Sequence, residues 1–465
     1  MSALHLTDSN FLNDSNDKIK CYKESGAFME VVDELNRQFN ASEIQIVHLQ
    51  NYNQRITSES PIWYEVKSYT KSNNKIIVDR CEFLTSHYIG RFSHNGVNII
   101  INPRFGNKIF QHIISCATNL FLPIGSSDIQ EKTKSNSFWL IALLWKAMLN
   151  KALASNQIPK EYQTITRNQK NFHGRLMVSK HIKENLCNAS MFYCTYKKLS
   201  MDNIINRAIR ETYKALDKKG LSALVGEFSE YDNRLSSLGV VSELDNINQI
   251  DTIRYTKMNY AYFPVMQLSK AILSNKNAES YSEGKKADVS YFIDVAELWE
   301  MYLLKLLQRK LPDEYRVYSP NAQNGEYLLE KNAREIRPDI IIEKANRVVM
   351  IIDAKYKWYE NFGKTAKTGV SREDLYQMVT YLYHYGQEET TIAGIFSSPA
   401  PNPDKHEVYS FSNNPNHQIG LLNLDIEKCG EDTEKLHEEE DTYINSIINI
   451  LKTTTERNTG TLTAH

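Results

Sequence analysis

The sequence predicts a multidomain α+β protein with a small β-domain first, a helical middle region, and a C-terminal α/β domain whose mixed sheet is flanked by helices. Three observations carry this expectation. Ile44 to Phe105 reads as strand-like runs broken by turn residues, and from about Asn107 to Leu273 the apolar residues recur at spacings of three and four. After residue 290, helical patterns alternate with short aliphatic runs. At 465 residues the chain is too long for one ordinary core, so two or three domains are expected.

Residues 1–40 read as a tail and lead-in, because "MSALHLTDSNFLNDSNDKIK" is polar and lacks the apolar centre of a signal peptide. Residues 41–110 form the β-rich domain, from "EIQIVHLQ", "PIWYEVKSY", "NKIIVDRCEFL" and "YIGRFSHNGVNIIINPRF". In the last piece Asn95-Gly96 suits the positive φ angles of a tight hairpin turn. The middle domain, 111–285, is expected to be mainly helical. "SFWLIALLWKAMLNKAL" and "MDNIINRAIRETYKALDKKG" show the helical period, and Asp202 and Asn203 mark a helix start. Gly174 in "FHGRL" marks a tight turn, and its neighbours His173 and Arg175 lack the partners that catalysis needs. "NAESYSEGKKADVS", 277–290, reads as a linker.

In the C-terminal domain, 290–400, "FIDVAELWEMYLLKLLQRKL" reads as a helix, and a strand follows at Tyr315 to Tyr318. "RPDIIIE" and "VVMIIDAKYKW" read as strands joined by the turn Lys344-Ala345-Asn346-Arg347. "SREDLYQMVTYLYHYG" is a helix capped by Ser371 and closed by Gly386, and "TIAGIFSS" is a buried strand. Residues 401–465, with acidic "EDTEKLHEEED" and the helix "YINSIINILK", read as a solvated helical extension, or else an interaction surface, ending in a tail, "GTLTAH".

Composition excludes some classes and leaves others open. The formal charge is −1, so any nucleic-acid role must come from a local patch. Six scattered cysteines without a CxxC pair are expected to be reduced thiols. The longest apolar run, Phe138 to Trp145, falls far short of the roughly 20 residues of a membrane span, so a cytoplasmic protein with no membrane partner is expected.

The charges at the edges of the two aliphatic runs point to chemistry. Side chains alternate faces along a strand, so Asp353 and Lys355 share one face, and an antiparallel partner brings Asp339 beside them. Two carboxylates taken from water cost several kcal/mol unless neutralised. A divalent cation does so, and oxygen ligands with retained waters suit Mg²⁺ or Mn²⁺. Lys355 would orient a nucleophile or stabilise the transition state, and a phosphodiester is the substrate that suits this equipment. The competing reading is an ordinary strand-end ion pair.

Gln377 and Tyr381 stand one turn apart on the following helix. This Gln-x-x-x-Tyr after Asp-x-Lys resembles RecB-type members of the PD-(D/E)xK nuclease superfamily. "RPDIII", "IIDAKYK" and "DLYQMVTYLYHYG" together look like McrC, the nuclease subunit of McrBC-type restriction systems. "FHGRLMVSKHI", "LSMDNIINRAIRET" and "YIGRFSHNGVNIIINPRF" extend that resemblance over about 40–400. It implies a PD-(D/E)xK restriction-endonuclease-like domain in which Asp339 and Asp353 bind metal, Lys355 is the catalytic lysine, and Gln377 and Tyr381 support the site and the DNA strand. Glu300, or Glu297 one turn away, would add a carboxylate. The resemblance also implies a McrB-like AAA+ GTPase oligomer as partner, with GTP bound there, and docking through the N-terminal β-domain; this chain has no GxxxxGK[ST] string.

Between Arg337 and Arg372 eight basic residues face four acidic ones. Lys357, Lys364, Lys367 and Arg372 are therefore candidates for contacting double-stranded DNA. Arg91 and Arg104 flank the N-terminal hairpin and are candidates for contacting the partner. Two alternatives remain open at this level: a stand-alone RecB-type DNA repair nuclease, and a non-catalytic activator of an AAA+ partner.

Overall fold

The computed structural model describes residues 3–8, 25–41, 44, 46–49, 60–72, 75–118, 139–155, 158–188, 190–280, 290–320, 326–357, 359, 369–386, 391–401 and 408–462. They divide into two compact units, Met1–Ser135 with Gly284–His465, and Asn136–Glu283. Among the described residues no helix is long and apolar enough to cross a membrane.

In the first unit, the supposed tail supplies a strand. Leu4 and Leu6 alternate with polar residues in Ala3–Thr7 (β1), and both leucines are buried. Val31, Val32 and Leu35 of Ser25–Asn40 (α1) enter the same core. Ile46–Val47 (β2) is short, while Ile62–Ser72 (β3) and Lys75–Thr85 (β4) make a two-stranded ribbon. The expected hairpin forms between Tyr88–His94 (β5) and Val97–Asn102 (β6), with Asn95 at φ 51° and Gly96 at φ 78°. β1 lies parallel to β6, and Gly106–Thr118 (α2) follows.

The second unit is less helical than its sequence suggests. Trp139–Ser155 (α3) is followed by Glu161–Gln169 (β7), Arg175–Leu176 (β8), Val178–Asn185 (α4) and Phe192–Ser200 (β9), and the strands form an antiparallel sheet in the order β7-β9-β8. These strands carry few buried side chains, so they lack the apolar alternation by which strands are recognised. Gly174 sits at φ 66°, and a Cβ there would collide with Thr195 O, so the tight turn requires glycine. Ile204–Leu216 (α5) starts as expected: Asn203 accepts a hydrogen bond from Asn206 N, and Asp202 pairs with Arg207 at 2.6 Å. Phe263–Ser280 (α6) packs against α3 and α5.

The chain then returns to the first unit. Tyr291–Asp294 (β10) is a buried strand, where a continuous helix was expected. The helix begins only at Val295 because Asp294 caps it, accepting from Ala296 N and Glu297 N. β10 pairs antiparallel with β5 and parallel with β2, completing a sheet of order β1-β6-β5-β10-β2. Gly90 permits this pairing, since a Cβ there would meet Tyr291 O.

After Val295–Lys310 (α7) come Tyr315–Tyr318 (β11), the ribbon Glu326–Leu329 (β12) with Ala333–Ile336 (β13), and the expected hairpin Ile340–Lys344 (β14) with Arg347–Ala354 (β15). Ala345 (φ 51°) and Asn346 (φ 62°) form its turn. Arg372–Tyr385 (α8) crosses to Ile392–Ser397 (β16), parallel to β15. The sheet does not stop at residue 400: Val408–Ser410 (β17) and His417–Leu421 (β18) complete the order β11-β14-β15-β16-β18-β17.

Nor is the C-terminal segment a solvated extension. Thr433–Leu462 (α9) buries Leu436, Tyr443, Ile447 and Leu451. Its acidic stretch sends Glu440 inward, to accept from Tyr302 (2.8 Å) and Lys310 (3.0 Å) and to pair with His112 at 2.7 Å. A charge run read one residue at a time cannot show which member faces a neighbouring helix.

Candidate active site

The β14–β15 register sets Ile340 opposite Ile352, so Asp339 and Asp353 come together at the hairpin's open end. Ala354 N donates to Asp339 Oδ2 at 2.8 Å. Asp353 lies near the end of the buried run of β15 at 1% exposure, and Lys355 Nζ lies 3.0 Å from its Oδ2. Lys355 N extends the ladder by donating to Ser397 O at 2.8 Å.

Helix α8 completes the site. Ser371 caps it by accepting from Asp374 N at 3.1 Å, and Met378, Tyr381 and Leu382 fasten it over Ile351, Ile392 and Phe396. With the helix placed, Lys355 Nζ donates to Gln377 Oε1 at 3.1 Å, Gln377 Nε2 donates to Tyr381 OH at 2.8 Å, and that hydroxyl donates to Arg337 O at 2.9 Å. This relay holds the amide so that its oxygen faces the lysine. Asp374 Oδ1 lies 3.3 Å from Lys355 Nζ, while Oδ2 accepts from Ser371 Oγ (2.6 Å) and from the Tyr359 hydroxyl.

The electrostatics follow. Burial, together with the neighbouring Asp339 charge, pushes the Asp353 carboxyl up to about 7 against the pull of Lys355. Burial also opposes the Lys355 charge, but Asp353, Asp339 and Asp374 outweigh it and hold the ammonium well above its ordinary range. Asp374 is buried too, yet Lys355, Ser371 and Tyr359 bring it down to about 2. Two carboxylates at one place, one of them reluctant to ionise, form a donor set that suits a hard divalent cation.

Asp339, Asp353, Lys355, Gln377 and Tyr381 are thus brought together. Lys357 stands at the rim, half exposed, 3.7 Å from Asp374 Oδ2, and Arg372 is exposed at the first turn of α8. Lys364 and Lys367 lie outside the described residues. Of the two glutamates of α7, Glu297 is engaged by the N-terminal region: Leu49 N donates to it at 2.5 Å and His48 Nδ1 lies 2.8 Å away. Glu300 is buried one turn further on, in a helix that packs against β15.

Arg104 is engaged within the chain. Its guanidinium stacks over Phe105 and Tyr356 at 4.6 and 4.3 Å, and its backbone N donates to buried Asp8 at 2.7 Å. Tyr356 directly follows Lys355, so this cluster ties the end of β1 to the loop carrying the lysine. Arg91 donates to Asn98 Oδ1 at 3.4 Å.

Three participants escaped the sequence reading: Asp374, Tyr359 and Tyr356. Asp374 precedes Gln377 by three residues and therefore shares its helix face, a signal present in the sequence. Among the described residues two further groups bring ligand atoms within 4.8 Å of one another, His112 with His437 and Glu440, and His48 with Asp294 and Glu297. Glu440, Asp294 and Glu297 already accept there from the Tyr302 hydroxyl, the helix amide Ala296 N and the loop amide Leu49 N respectively.

The family model described as "McrBC 5-methylcytosine restriction system component" matches residues 84–396 of the chain. Two solved structures from Thermococcus gammatolerans are similar to it. One is a refined half-complex from a tetradecameric assembly of McrB AAA+ hexamers with bound McrC, 17% identical, covering 97% of this chain and 100% of that one at a TM-score of 0.49. The other is the McrBC complex, 16% identical, covering 67% and 89% at a TM-score of 0.35. No curated protein matches the chain.

Proposed function

The chain belongs to the McrBC family of restriction-system components, and from that premise we propose that it is the nuclease subunit, a metal-dependent endonuclease that cleaves phosphodiester bonds of double-stranded DNA. The observation that carries this reading is the buried convergence of Asp339, Asp353 and Lys355 at the open end of one hairpin, with Gln377 fixing the lysine from the facing helix. In this reading β14, β15 and α8 form the core of a PD-(D/E)xK domain, which the antiparallel hairpin and the helix packed beside it support.

Asp339 and Asp353 are the residues that would hold Mg²⁺ or Mn²⁺. The cation, when bound, supplies Lewis-acid stabilisation of charge on a phosphoryl oxygen. Lys355 keeps its proton in this field and is therefore a donor: it orients the attacking water or stabilises the charge developing on the phosphate. Gln377 accepts from that ammonium and fixes its direction, and Tyr381 locks the Gln377 amide against the backbone of Arg337. Asp374 supplies the second anion that keeps the lysine charged while Asp353 is engaged. Lys357 and Arg372 offer cations to the DNA backbone at the rim.

In this reading the subunit is cytoplasmic and works with an AAA+ GTPase oligomer that binds GTP and selects the DNA, and it stimulates that partner's hydrolysis. No GxxxxGK[ST] string is present here, which accords with nucleotide being bound elsewhere. The test is plasmid cleavage with the co-encoded AAA+ protein, GTP and Mg²⁺, on modified and unmodified DNA. Lys355→Ala should lower cleavage by about a hundredfold or more while the complex still elutes intact from size exclusion. Undiminished cutting by both Lys355→Ala and Asp353→Ala would refute the assignment.

A further inference from the structure

We propose that the open face of the β7-β9-β8 sheet in the second unit is a separate, sequence-independent contact for the phosphate backbone of duplex DNA. The choice of DNA among polyanions rests on the nuclease reading above.

The charge of this segment is anomalous. Residues 158–200 hold eight Lys or Arg against two Glu, in a chain whose formal charge is −1. None of those eight cations forms an ion pair among the described residues. Elsewhere in the same unit Lys146, Arg207, Arg210 and Lys270 all pair with carboxylates. Four of them, Arg167, Arg175, Lys197 and Lys198, stand on the three strands, and unpaired like charges held this close repel one another, which favours a bound polyanion.

Register resolves which face is open. Opposed residues share a face, so the set Tyr162 with Leu199, Thr164 with Lys197, and Thr166 with Thr195 and Arg175 lies on one side. The other side carries buried Cys194 and half-buried Ile165, Tyr196 and Phe192, with exposed Arg167 and Lys198 beside them. On the first side Tyr162, Thr164, Thr166, Arg175, Lys197 and Leu199 are all exposed, Tyr162 at 66%, and none of the paired residues is acidic. Lys180 of α4 adds a cation 5.5 Å above the ring of Tyr193, which shares that face.

Lysine, arginine, threonine and tyrosine side chains are the usual donors to DNA phosphates, and contacts made to phosphates carry no base readout. An array of such phosphate donors grips a duplex without choosing its sequence. Such a contact fits a chain whose target is selected elsewhere.

The experiment uses the full chain and a short fluorescein-labelled duplex of arbitrary sequence, in EDTA so that no cleavage occurs, with affinity measured against salt concentration. The triple variant Arg175→Gln, Lys180→Gln, Lys197→Gln should bind more weakly, and its log K against log salt slope should be shallower by roughly 2 to 3, at about 0.9 for each phosphate no longer neutralised. A charge-matched control, Lys218→Gln, Arg254→Gln, Lys257→Gln, removes three exposed cations of the same unit that lie off the sheet. Equal slopes for the two triple variants would reduce the effect to bulk charge and overturn the proposal. An unchanged DNA slope with loss of the AAA+ partner in co-purification would also overturn it, making the face a protein interface. The nuclease reading fails separately, through undiminished cleavage by Asp353→Ala.

Discussion

Asp353→Asn tests the electrostatics of the site through stability as well as activity. The wild-type carboxyl is buried at 1% exposure and sits at about 7 in the folded protein, against 3.8 when unperturbed. Its folded-state value is raised, so between these limits the native state holds a proton that the unfolded state has released, and stability falls as pH rises. At about 1.4 kcal/mol per unit, that interval corresponds to roughly 4 kcal/mol, fully present below pH 4 and lost above pH 7. An asparagine cannot ionise, so the variant should lack this slope and be the more stable protein at pH 8 without metal. Lys355 keeps Asp374 at 3.3 Å in the variant and stays charged.

The assay is urea unfolding of metal-free wild type and variant at pH 5, 6, 7 and 8, repeated with Mg²⁺. Saturating metal should stabilise the wild type, by about 2.7 kcal/mol at a hundred times its dissociation constant, and leave the variant unmoved. Parallel pH profiles for the two proteins, or equal stabilisation of both by Mg²⁺, would refute the reasoning. Cleavage by the variant should be abolished throughout.

Gln377→Ala removes the acceptor that aims Lys355 and should slow cleavage about fivefold, roughly the 1 kcal/mol of one net hydrogen bond; Tyr381→Phe frees the amide and should slow it less, both read as initial rates on plasmid. Glu297→Ala strips a buried acceptor from Leu49 N and should cost about 1–3 kcal/mol in urea unfolding while DNA cleavage per folded molecule is unchanged; lost catalysis at full stability would instead make Glu297 a ligand. Ile447→Ala opens a cavity under α9 and should cost about 2–5 kcal/mol in the same measurement, whereas a solvated extension would show no loss.

The hairpin with Asp339, Asp353 and Lys355 is legible in the residues themselves, because three local rules agree there. Aliphatic runs require buried strands, the short polar turn requires antiparallel pairing, and strand alternation fixes which charges share a face. Helix α8 is equally clear from Ser371 and Gly386. Residues at the chain's beginning and end mislead for a common reason. Leu4 and Leu6 are too few to signal a strand, and α9 carries so many acids that its buried face is diluted; each gains its partners from far along the chain.

What the sequence by itself determined is therefore the local grammar of the site: two carboxylates and a lysine on a hairpin, and a glutamine and a tyrosine one turn apart on a helix. Only the tertiary structure decided which other groups meet them. Asp374 turns to Lys355 because α8 crosses over β15 and β16, Glu297 is claimed by Leu49 because β10 inserts between β5 and β2, and Arg104 folds onto Tyr356 beside the lysine. Periodicity reports how a segment meets its nearest neighbours. Pairings between residues hundreds of positions apart are set by the burial of whole surfaces, and no local pattern records them.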